Sequence, residues 1–240
     1  MALDNFRQRF ALGIAEMLGT AILVFVIQLA VTSGSSLAPL AIGLGLVAIV
    51  YAIAPISGAH VNPAVTLSIF LRGKSKPADA IMYWFAQLVG GVVGALLGLI
   101  VGGESIAPAI GKGHNFMQAF LAELIITSIL CFVVLAVATS KAAEKNSWYG
   151  LSIGIVVFFG AVSVGGISGG SFNPAVTFGL CFVKGIRHFA FAAWTVLAQL
   201  LGGVLGAFFY YLVAPADFEH FGENVGDLKS EAKSLLPGGK

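Results

Sequence analysis

Two identical tripeptides, Asn62-Pro63-Ala64 and Asn173-Pro174-Ala175, carry the residue types best suited to act on a small molecule. Asn is a favoured helix N-cap, because its side-chain oxygen accepts a backbone N–H. Pro is tolerated at the first helical position, where no N–H is needed. Each triplet therefore predicts a helix start, with the Asn oxygen held by the cap and its amide NH2 left free to donate. The apolar stretch after each triplet ends near Leu71 and Val183. That gives roughly 14 Å of helix at 1.5 Å per residue, about half of a ~30 Å hydrocarbon core. A helix N-terminus carries about +0.5 of an elementary charge. Two such ends brought together would orient a passing water, interrupt a proton wire and repel cations. Just upstream, the stretches Gly58-Ala59-His60-Val61 and Gly169-Gly170-Ser171-Phe172 offer backbone carbonyls. Irregular backbone at membrane depth is tolerated only when buried in protein or lining a water path. No nucleophile–base pair or metal-ligand cluster accompanies these residues. The expected chemistry is orientation and exclusion, without a catalytic step, cofactor or metal.

The elements that must position these groups are membrane helices. Charged residues are only 10% of 240 and hydrophobic ones 58%, against about 25% charge in a soluble domain. Mean hydropathy is +0.95. A net charge of +2 gives no reason to expect a nucleic-acid partner. Spanning helices need about 20 apolar residues, and six segments qualify, at 10–31, 39–54, 80–101, 116–139, 148–165 and 189–213. The polar tail 214–240 is expected to be mobile. The N-terminal stretch carries Asp4 and lacks a small-residue cleavage site, so no cleaved signal peptide is expected. Cys131 and Cys181 lie inside apolar segments and read as buried free thiols.

The two halves repeat. Ala15-Glu16…Thr20 matches Ala122-Glu123…Thr127, Ile56-Ser57-Gly58…Thr66 matches Ile167-Ser168-Gly169…Thr177, and Ala86-Gln87-Leu88 matches Ala198-Gln199-Leu200. Three matches in one order, at nearly one offset, argue against chance similarity among apolar helices. Each half, about 10–103 and 116–213, holds three spans. An odd number inverts the second half, and inverted repeats place functional sites near the bilayer midplane. The expected fold is all-α, with six transmembrane helices and two re-entrant half-helices in one channel domain over 1–240. Arg7, Arg9, Arg72, Lys74, Lys76, Lys141, Lys145, Lys229, Lys233 and Lys240 fall on one side, and only Lys112, Lys184 and Arg187 on the other. The excess predicts cytoplasmic N- and C-termini.

From about Ala11 to Val213 the sequence resembles the aquaporin family (major intrinsic proteins), with Ser57-Gly58-Ala59-His60-Val61-Asn62-Pro63-Ala64-Val65-Thr66 as its signature. It is most similar to the tonoplast-type branch. The resemblance implies a homotetramer in a plasma or vacuolar membrane, with one pore per subunit for water and small neutral solutes. It also implies a selectivity filter at Ile42, Ala161, Gly170 and Val176, and carbonyls of Gly58, Ala59, His60, Gly169 and Ser171 along the pore. Strict water channels usually have an aromatic residue, a His and an Arg at the first, second and fourth filter positions, and this chain has none of them. The ring is expected to be wider and drier, so urea, hydrogen peroxide, ammonia and glycerol become plausible permeants. Glycerol facilitators typically carry Asp where this chain has Thr177, which disfavours a dedicated glycerol channel.

Glu16 and Glu123 are ionisable residues inside predicted spans, and such residues are functional candidates. The alternative reading is an acid near a helix end that reaches the headgroups. The resemblance implies that they hold the two re-entrant loops. His60 lines the pore or is a packed loop histidine. Arg72 reads as an ordinary cytoplasmic charge. Gly90, Gly94 and Gly98, and Gly202 with Gly206, have the four-residue spacing of close helix crossings. Ser140, Ser147 and Ser230 are hydroxyls in polar connections that no pattern singles out. Two alternatives to a passive pore are an inverted-repeat secondary transporter, which needs intramembrane charges at a substrate site, and a closed-pore structural protein of the same fold.

Overall fold

In the computed structural model, which describes residues 2–218, eight α-helices run in the order α1 (Ala2–Thr32), α2 (Ala38–Ser57), α3 (Pro63–Leu71), α4 (Pro77–Gly102), α5 (Phe116–Ala138), α6 (Tyr149–Ser168), α7 (Pro174–Lys184) and α8 (Phe189–Val213). Six are long and apolar enough to span a bilayer. The helices α3 and α7 are the expected half-length pair. Local chemistry marks the ends. Pro39, Pro63, Pro77 and Pro174 sit in first turns, where the missing N–H is harmless. Asn115 and Gln118 form a reciprocal capping box at the start of α5. Helices α2 and α6 end at Gly58 and Gly169, whose φ values of 88° and 91° are left-handed.

The inverted repeat sets the packing. α1 lies along α4 and α5 along α8, as matched pairs, while α2 meets α6 across the two halves. Gly94 faces the backbone of α1 and Gly206 that of α5. A Cβ there would stand 2.2 Å from the Ala21 carbonyl oxygen and 2.6 Å from that of Ser128, so the four-residue glycine spacing does serve close crossings. Polarity is inside out relative to a soluble protein. Glu16, Gln87, Glu123 and Gln199 are fully buried, whereas Ile81, Phe85 and Ile100 stand on the outer surface. This is the arrangement of an integral membrane protein, whose exterior meets hydrocarbon.

Two expectations need correction here. Residues 214–218 of the polar tail are ordered, with Pro215–Phe218 forming a 3-10 turn; the rest of the tail, including Lys229, Ser230, Lys233 and Lys240, lies outside the described residues. Arg72 is not an ordinary solvated charge either. It is 1% exposed, because the end of α3 lies within the protein and is covered by residues 139 and 217–218.

Candidate channel site

Asn62 and Asn173 cap α3 and α7, each accepting from the N–H of the following Ala at 2.9 Å. Their amides are not left free, as the sequence suggested. Asn62 Nδ2 donates to the Phe172 carbonyl at 2.9 Å, and Asn173 Nδ2 donates to the Val61 carbonyl at 2.8 Å. Each amide spends one N–H on the opposite repeat and keeps one for the lumen. The two carbonyls accept because Val61 and Phe172 adopt left-handed φ values of 41° and 49°. That backbone is costly for non-glycine residues, so the surrounding contacts must hold it.

Two buried carboxylates do so. Glu16 accepts from Ser57 Oγ (2.7 Å), His60 N (2.9 Å), Val61 N (2.7 Å) and Gln87 Nε2 (2.8 Å). Glu123 repeats the pattern with Ser168 Oγ (2.7 Å), Ser171 N (3.1 Å), Phe172 N (2.8 Å) and Gln199 Nε2 (2.8 Å). Neither acid reaches toward headgroups. Gln87 and Gln199 also donate to Thr66 and Thr177, tying each loop to the helix it starts. The Thr66 and Thr177 hydroxyls pair with His60 Nδ1 (3.1 Å) and Ser171 Oγ (2.7 Å) at matching positions. The His60 ring packs edge-on against Tyr83 with centroids 4.9 Å apart, so the histidine both borders the lumen and is held by packing.

A cavity of about 1210 Å3 follows this axis. It begins at Val31, Pro39 and the 106–109 segment, passes both Asn residues, and reaches Lys141, Asn146 and Tyr149 at the other end. Ile42 from α2, Ala161 from α6, Gly170 from the second loop and Val176 from α7 all lie on its wall. So do Gly58, Ala59, His60, Gly169 and Ser171. Thr177 is absent from the wall, since it is engaged with Ser171 and Gln199. Gly91 and Gly203 had no assigned role in the sequence, though they lie in the matched segments. A Cβ at Gly91 would stand 2.3 Å from the Ala175 carbonyl oxygen, and one at Gly203 would stand 2.7 Å from that of Ala64. Each admits the opposite repeat's Asn-Pro-Ala turn. Their position directly after Gly90 and Gly202, in both halves, was the available signal.

The family described as Major intrinsic protein matches residues 6–164 and, again, 150–235. The chain belongs to the major intrinsic protein family. Its relatives include Aquaporin A of Dictyostelium discoideum, 32% identical over 74% of this chain and 65% of its own length. The chain thus spans just under two thirds of that protein. Glycerol uptake facilitator protein-like 6 of Lactiplantibacillus plantarum is 34% identical over 81% of this chain and 94% of its own length. Aquaporin TIP1-2 of Zea mays is 34% identical over 77% and 73%, so tonoplast-type members are among the relatives, at an identity equal to that of the bacterial one. A solved aquaglyceroporin from Plasmodium falciparum superposes with a TM-score of 0.78 at 25% identity, covering 87% of this chain and 98% of that one. The chain is thereby a channel-family membrane protein with an aquaporin fold.

Proposed function

We propose that the chain conducts water and small neutral solutes, among them urea, hydrogen peroxide, ammonia and glycerol, and excludes protons and ions. The observation that carries this reading is the paired Asn62 and Asn173 amides, crossed between repeats beside a cavity bordered by an uncharged quartet. Two helix N-termini raise the local potential against cations. The remaining amide N–H groups orient water. Ile42, Ala161, Gly170 and Val176 add neither charge nor hydrogen-bonding side chains, so the filter selects mainly by width. That relatives are named both aquaporins and glycerol facilitators agrees with a range of solutes. A pore is favoured over ion-coupled transport because Glu16 and Glu123 are each engaged by donors from a re-entrant loop and by one glutamine. The functional unit is a homotetramer with one pore per subunit, in a plasma or vacuolar membrane, with both termini in the cytoplasm.

The test is solute flux into proteoliposomes. Water, urea and glycerol permeabilities well above those of empty liposomes, with no proton or sodium current, are the expected result. Saturable flux that requires an ion gradient would replace the pore with a transporter.

A further inference from the structure

Where a residue breaks the repeat, the shared scaffold is not what selects it. Gln28 is such a residue. It is fully buried in α1, yet 107 residues on, the offset that relates Glu16 to Glu123, stands Leu135, which is also fully buried. Gly98 of α4 gives Gln28 its room: a Cβ there would stand 3.0 Å from the Gln28 Cβ, Cδ and Nε2. At the position matching Gly98, 112 residues on, the second half carries Tyr210. The amide is costly where it sits. Among the described residues, its buried Oε1 has no hydrogen-bond partner, and a stranded buried acceptor destabilises the fold. Nε2 donates to the Glu104 carbonyl at 3.0 Å. That bond is what an apolar residue at this position could not make.

The next residue is held as well. Lys184, in the last turn of α7, donates through Nζ to the Ser105 carbonyl. Two consecutive carbonyls are thus gripped, one from α1 and one from α7. The chain that follows them, residues 106–109, forms part of the cavity wall at the mouth opposite the termini. Its far end is fixed by Gly111 N, which donates to the Ile167 carbonyl at 2.9 Å. Between these ties Pro108 is buried on Gly169, where a Cβ would stand 2.6 Å from the Pro108 Cβ. Gly169 precedes Gly170, and α7 carries Val176. The segment therefore rests on the elements that carry two of the four filter residues.

We propose that Gln28 and Lys184 are positioning residues for solute selectivity: together they hold residues 104–109 as a wall of the outer constriction and so set its width. Neither borders the cavity, so both act through the segment and touch no solute. Ile42, Ala161, Gly170 and Val176 bring no charge and no hydrogen-bonding side chain, so discrimination falls to width, and a wall free to recede passes larger solutes more readily. Donors from two helices on adjacent carbonyls fix both the place and the direction of the chain, which one bond would leave free to pivot. The Lys184 ammonium also lies at the C-terminal end of α7, where positive charge is favoured. With Leu at position 28, as at 135, the stranded Oε1 would be gone and the spans would lose nothing. The loss would fall on the segment, because Glu104 is exposed and its freed carbonyl turns to water.

The inference rests on the channel reading, and the test separates the two. Full-length wild type, Gln28→Leu, Lys184→Met and Lys184→Arg are compared in proteoliposomes by hydrogen exchange, thermal unfolding and stopped-flow permeability to water, urea and glycerol. Exchange over 104–111 is expected to speed up about fivefold in Gln28→Leu and about tenfold in Lys184→Met, the scale of losing a neutral and a charge-assisted hydrogen bond. In both variants the urea-to-water and glycerol-to-water permeability ratios should rise by about threefold or more, a small change in barrier, with protection of 58–66 unchanged. Gln28→Leu should melt no lower than wild type, because it removes a stranded acceptor, and Lys184→Arg should return exchange and ratios toward wild type. Unchanged ratios in Gln28→Leu and Lys184→Met would overturn the selectivity role, even with faster exchange. Changed ratios without faster exchange would overturn the anchoring. A lower melting temperature in Gln28→Leu, with protection lost across the spans, would also overturn it by making Gln28 a folding residue. A wild type that passes neither water nor urea defeats the channel reading instead, and exchange over 104–111 then decides the anchoring by itself.

Discussion

Val176 is the residue at which the account of selectivity is most exposed. Its side chain is buried on the cavity wall one position after Ala175, so a longer cationic group there projects into the lumen. Val176→Arg is expected to suppress urea and glycerol flux by at least about tenfold, or roughly 1.4 kcal/mol of added barrier, while water flux persists. Parallel light-scattering assays with each solute check this; unchanged urea flux would remove Val176 from the constriction. The thiols give a second prediction at this scale. Cys131 and Cys181 are both fully buried, and neither borders the cavity. Maleimide labelling of the folded protein should therefore be negligible and rise on denaturation, and thiol reagents should leave water flux unchanged.

Among the elements, the re-entrant loops bear the strain, and Glu16 and Glu123 hold it. Glu16→Ala would strand Ser57 Oγ and the N–H groups of His60 and Val61, each unmade buried bond costing about 1–3 kcal/mol. The expected outcome is a large drop in melting temperature together with loss of flux, and Glu123→Ala should behave alike because its donors match. Gly91 offers a separate probe. Gly91→Val would push the Ala175 turn away, and overpacking of this kind costs about 1–3 kcal/mol or more. Water flux should fall while the six spans still insert, as judged by flux alongside protease accessibility of the loops. The elements were largely legible in the sequence. Asn-Pro predicted both half-helix starts, and apolar length predicted the spans, though α1 begins eight residues earlier than expected, α4 begins three earlier, and α2 and α6 each run three further. What stayed hidden depends on contacts between distant residues. Nothing near Arg72 distinguishes a solvated loop cation from one buried against Asp217, and nothing near Asn62 reveals that its amide donates to Phe172. Neither contact leaves a periodic pattern, and both join residues more than a hundred positions apart.

For the whole molecule, inverted symmetry explains why two unremarkable tripeptides make one site. The odd span count brings α3 and α7 in from opposite faces, and the crossed bonds from Asn62 to Phe172 and from Asn173 to Val61 join the halves at the centre. Three levels then agree. Caps fix the helix starts, buried carboxylates fix the loops, and glycines at Gly91 and Gly203 admit the turns. The most direct test of the central claim is stopped-flow light scattering of proteoliposomes challenged with an impermeant osmolyte at several temperatures. The account predicts shrinkage much faster than that of empty liposomes, with a low activation energy close to that of water diffusing through water. Shrinkage at the lipid rate, from protein shown to be folded and inserted, would contradict it.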